Sequence, residues 1–155
     1  MAFFISMKKL LILSIIVMVQ SCTKNEITQP LEYEGPQSEA ENVELFYSEN
    51  QIVKVKMLAD QVYEFKNGDR EFPKGVYIEF FDEQGELSSK LRANHAFYTK
   101  KENLWKATGK VEVLNLLKNE QLNTEELFWQ PAKEEIYTEK FVTIRMQTEV
   151  IYGEG

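Results

Sequence analysis

The sequence predicts an all-β domain of stacked antiparallel strand repeats over residues 43–155, behind a membrane-targeting segment and a tether. Three observations predict this fold class. Apolar and polar residues alternate strictly in several short stretches, turn-forming residues recur between these stretches, and one short pattern repeats at a nearly constant interval. No stretch after residue 45 has the apolar spacing of an amphipathic helix.

Residues 1–21 have the organisation of a bacterial signal peptide. Lys8 and Lys9 precede an apolar run from Leu10 to Val19, and such an order is typical of a secretory signal. A transmembrane helix is the weaker interpretation, because spanning a bilayer takes about 20 apolar residues. The segment Val19-Gln20-Ser21-Cys22 resembles a lipobox and contains the single cysteine of the chain. It predicts cleavage before Cys22 and lipidation of its thiol; the alternative is an ordinary secretory signal with an incidental cysteine.

Residues 22–42 are predicted to be a lipidated N-terminus followed by a flexible tether. The stretch has few apolar residues, and it contains Pro30, Gly35, Pro36 and several acids. This composition is typical of a linker that cannot bury enough apolar surface to fold alone.

The charge of the chain excludes two classes of partner. The sequence has 18 basic and 25 acidic residues, and residues 1–22 hold two of the lysines and no acid. The remainder therefore has 16 basic and 25 acidic residues, a net charge of −9. Neutralising nucleic-acid phosphates requires clustered Lys and Arg, so no nucleic-acid partner is expected. Electrostatic binding to an anionic membrane is excluded for the same reason, and membrane attachment must come from the lipid.

The strands themselves are predicted from two-residue alternation, which separates a dry face from a wet one. Turn signals stand between them, as at Asn67-Gly68-Asp69 and Pro73-Lys74-Gly75. The strictest alternation occurs in the stretches Val53–Met57, Val76–Phe80, Gly109–Val113 and Val142–Met146.

An internal repeat links these strands. The segment Ala59–Tyr63 matches Ala93–Phe97 and Thr124–Phe128, at offsets of 34 and 31 residues. Each copy ends in an aromatic residue, and an alternating strand follows 13 or 14 residues later. Repeats of this length usually stack, so that each buries its apolar face on the next.

Stacked repeats of this kind are predicted to enclose a long apolar slot and to leave an open edge at each end. The N-terminal edge strand is predicted at Val43, Leu45 and Tyr47. The side chains predicted to point into the slot are Val53, Val55, Val76, Ile78, Phe80, Val111, Val113, Val142, Ile144 and Met146.

The sequence carries no motif of an enzyme, and none for a metal or cofactor. The single histidine, His95, occupies a repeat position where the other copies have Gln61 and Glu126, so we interpret it as a polar strand residue. There is no Cys/His cluster for zinc and no glycine-rich phosphate loop. Acidic pairs such as Glu125-Glu126 lie beside predicted turns, where solvated faces are the usual reason for them.

Two segments in their order and spacing resemble a known family. These are ATGKVEV, residues 107–113, and LNTEELFWQPAKEEIYTEKFVTI, residues 122–144. Together with residues 91–98 they resemble the LptC family of lipopolysaccharide-export proteins, which is related to the LptA/OstA β-jellyroll group. The resemblance covers roughly residues 36–155. It implies a twisted, open β-jellyroll that receives lipopolysaccharide from an inner-membrane ABC transporter and passes it to a periplasmic bridge protein.

The resemblance also assigns roles to the predicted sites. The slot would hold the acyl chains of lipid A, the edge strand Val43–Tyr47 would meet a periplasmic jellyroll of the transporter, and the C-terminal edge would meet an LptA-like bridge protein. Cys22 would anchor the chain on the periplasmic side of the inner membrane, where other members use an uncleaved helix. The family continues into further strands beyond the position of Gly155. The alternative function is a lipid-anchored β-domain with a structural or surface role and no lipid cargo.

Overall fold

The alternating stretches of the sequence form β-strands throughout the computed structural model, which describes residues 33–133 and 135–154. The signal segment, Cys22 and most of the predicted tether lie outside these residues. The strands belong to one compact unit, Glu34–Gly155. In chain order they are β1 (Ser38–Glu49), β2 (Ile52–Glu64), β3 (Arg70–Phe72), β4 (Val76–Phe81), β5 (Leu87–Ala93), β6 (His95–Thr99), β7 (Leu104–Asn115), β8 (Glu120–Gln130), β9 (Glu135–Tyr137), β10 (Phe141–Arg145) and β11 (Val150–Glu154).

The strand content confirms the predicted all-β class. Among residues 33–133 and 135–154, the helical structure consists of one turn of 3-10 helix, Pro131–Lys133. No helix in this part of the chain has the length and apolar character needed to cross a membrane.

The first strand begins earlier than its sequence indicates. β1 starts at Ser38, so residues 38–42, the last five of the predicted tether, are strand. Their side chains are polar or small and exposed, but their backbone pairs with residues 61–64 of β2. Backbone pairing therefore extends the strand where side-chain alternation gives no signal.

The strands form one continuous antiparallel sheet that folds along a line into two halves. The long strands β1, β2, β7 and β8 cross this line and contribute to both halves. The first half contains residues 43–49, 52–59, 111–115 and 120–124 of these strands, together with β4, β5, β10 and β11. The second half contains residues 38–41, 61–64, 104–108 and 126–130, together with β3, β6 and β9.

The fold line is marked by backbone irregularities, and we call it the corner line. Asn42 interrupts the pairing of β1 with β2 and has a φ of 52°. The register of β7 against β8 shifts between Thr108 and Val111, where Gly109 and Lys110 have φ values of 74° and 50°. Left-handed residues of this kind bend a strand and increase its local twist. The sheet is thereby turned back on itself into a β-jellyroll.

Small buried side chains line the inside of the corner. Ala59, Ala93 and Ala96 are each at most 6% exposed, and Ala107 and Thr124 are also buried. Thr124 satisfies its hydroxyl by donating a hydrogen bond to the carbonyl of Phe141 over 3.0 Å. Because these side chains are short, the two halves can approach closely at the corner and diverge away from it.

The internal repeat of the sequence coincides with this corner. Its first residues, Ala59, Ala93 and Thr124, are the small buried residues just described, and each copy then continues into the second half of the sheet. Each copy of the repeat therefore lies where a strand passes from one half of the sheet to the other.

Candidate functional site

A continuous apolar row crosses the inner face of the first half. The register places one residue from each of eight strands side by side: Leu45, Met57, Ile78, Leu91, Val113, Leu122, Ile144 and Ile151. Residues one position further along the strands face outward. Their row consists of Phe46, Lys56, Glu79, Lys90, Leu114, Gln121, Arg145 and Val150. The first half thus has an apolar inner face and a mixed, mainly polar outer face.

The inner face of the second half carries two rows. Close to the corner line lie Phe72, Ala96, Ala107 and Leu127, all of them buried. Further from the corner lies the row Glu64, Arg70, Tyr98, Trp105, Trp129 and Ile136. The inner face of the second half therefore changes from buried apolar residues near the corner to mostly aromatic and charged residues away from it.

The two halves enclose a groove that contains two cavities. The larger cavity, about 860 Å³, lies among β1, β2, β3 and β4 and reaches the two tryptophans. The smaller cavity, about 280 Å³, lies among β4, β5, β7 and β8 and reaches Ile136 on β9. Both are walled mainly by apolar side chains, and the larger has a volume typical of a site for a small organic ligand. The groove can therefore receive long apolar groups.

The mouth of the groove, the side away from the corner line, is more polar than its interior. Arg70 Nε lies 3.2 Å from Glu64 Oε2, and both side chains are more than 40% exposed. Nearby, the Tyr98 hydroxyl donates a hydrogen bond to Asn103 Oδ1 over 3.2 Å. These four residues all line the larger cavity. An amphiphile could bury an apolar part in this groove and leave a polar part at the mouth.

The residues predicted to face the slot fall into three groups. Five line the two cavities: Val55, Val76, Ile78, Phe80 and Val113. Val111 is packed in the core at 1% exposure. The other four line neither cavity: Val53, Val142, Ile144 and Met146. Ile144 nevertheless continues the apolar inner row on β10, whereas Met146 lies just beyond the end of that strand.

The tryptophans are the residues that the alternation does not identify. Trp105 and Trp129 are paired across β7 and β8, with ring centroids 6.4 Å apart, and both line both cavities. Trp129 follows Phe128, and Tyr98 follows Phe97, so the sequence alone does not show which member of each aromatic pair faces inward. The structure places Phe97 and Phe128 on the outer face, where Phe128 stacks on Tyr137 at 5.0 Å.

The predicted edge strand contributes to the groove as well as to the edge. Val43, Leu45 and Tyr47 of β1 line the larger cavity, and Leu45 and Tyr47 are 42% and 56% exposed. Among the described residues β1 pairs with β2 alone. At the opposite end β11 pairs with β10 alone within the same ranges. Within the described residues, the sheet thus has an edge strand on each side of the groove.

The outer face carries ion pairs among its apolar side chains. Lys56 Nζ lies 2.7 Å from Glu44 Oε1 and above the Phe46 ring. The hydrogen bond to Glu44 raises the pKa of Lys56. Lys106 forms an equivalent pair with Glu126 at 2.7 Å. These contacts place charged groups on the outer face beside exposed aromatic side chains such as Phe46, which is 54% exposed.

His95 lies outside the groove, on the outer side of the second half. Its Nε2 is 2.9 Å from Glu71 Oε1, and its Nδ1 is 3.5 Å from Thr108 Oγ1. Neither groove cavity is lined by these three residues. Within residues 33–133 and 135–154 no group of three His, Cys, Asp or Glu side chains is arranged to hold a metal ion.

Comparison with known proteins adds one finding to this geometry. The family model described as "Lipopolysaccharide-assembly, LptC-related" matches residues 9–155, nearly the whole chain. No curated protein matches the sequence.

Proposed function

This chain belongs to the LptC family of lipopolysaccharide-assembly proteins, and we propose that it is a membrane-anchored carrier of lipopolysaccharide in the periplasm. Membership of the family implies a role in lipopolysaccharide transport on the periplasmic side of the membrane. The proposal adds the route: the carrier receives lipopolysaccharide from an inner-membrane ABC transporter and passes it to an LptA-like bridge protein. It is neither an enzyme nor a nucleotide-driven machine itself.

The observation that carries the proposal is the apolar groove with a polar mouth. Lipid A combines several acyl chains with a charged, hydrated head, so a carrier has to shield the chains and leave the head in water. The inner rows of both halves supply apolar walls, and the Glu64–Arg70 pair stands at the mouth. We propose that the acyl chains contact Val55, Val76, Ile78, Phe80 and Val113, with Val111 packed behind them in the core. Val53, Val142, Ile144 and Met146 are proposed as further lipid contacts outside the two cavities.

The energetics favour a passive carrier. Each buried CH₂ is worth about 0.8 kcal/mol whether it is shielded by a membrane or by a protein groove. Moving an acyl chain from one such environment to the other is therefore close to balanced, and the direction of transport has to be imposed by an ATP-hydrolysing partner.

The two sheet edges suit end-to-end docking. Strands at an edge present unpaired backbone N–H and C=O groups that can pair with a strand of another protein. We propose that β1, with Val43, Leu45 and Tyr47, meets a periplasmic jellyroll of the transporter. The C-terminal side of the sheet, where Val150, Ile151 and Tyr152 of β11 are each more than 40% exposed, is the side we assign to the bridge protein. The groove would then be continuous from one protein to the next.

We also propose that the chain is attached to the membrane by lipid on Cys22. Cys22 lies outside the described residues, and its sequence context supports lipidation. One acyl chain gives only marginal, reversible membrane binding, so stable attachment needs the several chains that bacterial lipoproteins carry. Lipid attachment at Cys22 would hold the groove beside the membrane from which its cargo comes.

Purification of the full chain from its native membrane in mild detergent, followed by mass spectrometry of bound lipids and proteins, tests this function. We expect lipopolysaccharide and the subunits of an ABC transporter to copurify with the native chain. Leu91→Glu puts a charge inside the groove and should remove the lipid, because an unpaired buried charge is costly beside acyl chains. Arg92→Glu, the adjacent outward residue, is the matched control and should retain it.

Two results would contradict the proposal. One is a correctly folded native chain that copurifies with no lipid, which would favour the structural module without lipid cargo. The other is equal lipid content in the Leu91→Glu and Arg92→Glu variants, because the lipid would then be bound outside the groove.

A further inference from the structure

Two aromatic side chains meet across the groove. The rings of Phe80 on β4 and Trp129 on β8 are in edge-to-face contact, with centroids 6.3 Å apart and planes at 88°. Phe80 belongs to an inner row of the first half that lies further from the corner line than the Ile78 row, with Val55 and Ser89 beside it. Trp129 belongs to the corresponding row of the second half. The contact therefore joins the two halves at the mouth of the groove, and we call this pair the aromatic bridge.

The aromatic bridge also stands between the two cavities. The larger and smaller cavities share four wall residues, Ile78, Phe80, Trp105 and Trp129, and otherwise have different linings. A chain of atoms that extends from one cavity into the other has to pass these four side chains.

The two rings of the bridge have different neighbours. Trp129 stacks on Trp105, which in turn contacts Tyr98 at 4.7 Å and Phe72 at 5.7 Å. Phe80 has the small Ser89 beside it on β5, and the register of β4 against β5 shifts immediately after it. Phe80 is partly buried and packs against the buried core residues, so the bridge closes where the tryptophan pair meets this ring.

This geometry matters for an amphiphile whose head stays in water. Such a molecule can move along a groove only if its neck, between the buried chains and the exposed head, can slide along the mouth. A side-chain contact that ties the mouth shut blocks that movement, whatever room exists inside. We propose that Phe80 and Trp129 form a gate that must open for each lipopolysaccharide molecule to pass between the two cavities. The inference rests on the proposed function.

The gate is tested in cells with the full chain and a photoreactive benzoylphenylalanine on either side of the bridge. Leu45 reports on the larger cavity and Leu91 on the smaller one, and both belong to the same inner row. A closed gate keeps lipopolysaccharide labelling unequal between the two positions. Phe80→Ala should shift their labelling ratio severalfold toward equality. Phe81→Ala is the matched control, because Phe81 is the next residue of β4 and lines neither cavity, and it should leave the ratio unchanged.

A second variant closes the gate permanently. Phe80→Cys with Trp129→Cys can be bridged in the periplasm by a reducible bis-thiosulfonate reagent, with the two single-cysteine variants as controls. Bridging should abolish labelling at one of the two reporter positions and leave it at the other, and a reducing agent should restore it.

The outcomes separate the gate from the function on which it rests. Lipid labelling at both positions with a ratio that neither Phe80→Ala nor the bridged cysteines change would overturn the gate and leave the carrier standing. Absence of lipid labelling at every position in the folded native chain would overturn both. A ratio that responds to Phe80→Ala and to the reversible bridge supports the gate.

Discussion

Small side chains at the corner line decide how closely the two halves of the sheet approach. Gly75, in the turn between β3 and β4, is the clearest case, because its φ is 91° and a Cβ there would lie 2.5 Å from the carbonyl oxygen of Ala93. That oxygen belongs to the backbone of β5 and cannot move without disturbing the strand pairing. Gly85 has a similar φ of 84°, but its Cβ would meet only a methyl group of Ile52 at 3.5 Å.

These two glycines give a matched prediction about stability. Gly85→Ala should lower the free energy of unfolding by about 1–2 kcal/mol, the cost of a left-handed conformation for a residue with a Cβ. Gly75→Ala should lower it clearly more, because the backbone clash adds to that cost. Urea denaturation of the full-length variants measures both. Equal losses would show that the corner is not tightly packed at Gly75.

The tryptophans provide a second prediction, because both of them line the groove. If alkyl chains enter the groove, brominated dodecyl maltoside should quench each tryptophan in the single-tryptophan variants Trp105→Phe and Trp129→Phe. The control carries both of these changes together with Phe128→Trp, which puts the indole on the outer face. Fluorescence quenching that is as strong in the control as in the two single-tryptophan variants would contradict entry into the groove.

The residues also show what alternation can predict and where it stops. Alternation identifies Ile78 and Val113 as inward-facing, because each has polar or larger neighbours along a regular strand. Phe80 lines both cavities as well, although its neighbour Phe81 is the same residue type and alternation alone does not distinguish the two. It could not assign Phe97 against Tyr98 or Phe128 against Trp129, since both members of each pair are aromatic. Trp105 was missed as well, although it lines both cavities.

At the level of strands, the sequence predicted the elements better than their partners. The repeat gave the period of the fold because small residues recur wherever a strand turns the corner. β2 pairs with β4 through residues 55–58 and with β3 through residues 63–64, because the strand changes direction at residues 59–62. Such long-range pairing depends on the whole sheet and leaves no local pattern.

The edge strand β1 allows a prediction about docking. Glu44 is paired with Leu58 and Leu45 with Met57, and successive residues of an antiparallel strand direct their N–H groups alternately toward and away from the partner. One of these two residues therefore directs its N–H toward β2, and the other directs its N–H away from it. Proline at the position whose N–H points toward β2 should break a hydrogen bond to β2 and lower stability. Proline at the other removes only an outward N–H and should weaken copurification of the transporter while thermal stability is kept. Full retention of the transporter by both variants would show that docking does not use this edge.

For the molecule as a whole, attachment to the membrane is the first expectation. If Cys22 is lipidated, Cys22→Ala should prevent both the lipidation and the cleavage that depends on it, so the chain should accumulate as an unprocessed precursor that is heavier than the native mature form. Cell fractionation with immunoblotting measures this, and Ser21→Ala, which keeps a small residue before the cysteine, is the control. Equal sizes of the Cys22→Ala variant and the native chain would favour an uncleaved apolar helix over a lipid anchor.

The function of the whole molecule depends on one claim, that the inner face of the folded sheet contacts lipid and the outer face does not. Photocrosslinking in living cells tests it most directly, with a photoreactive residue at Ile78, Val113 or Ile144 of the inner row. The adjacent outward residues Glu79, Glu112 and Thr143 are the controls. The groove account predicts lipopolysaccharide adducts at the three inner positions and none at the three outer ones. Equal labelling of both sets, or none at the inner positions of a folded and expressed protein, would contradict it.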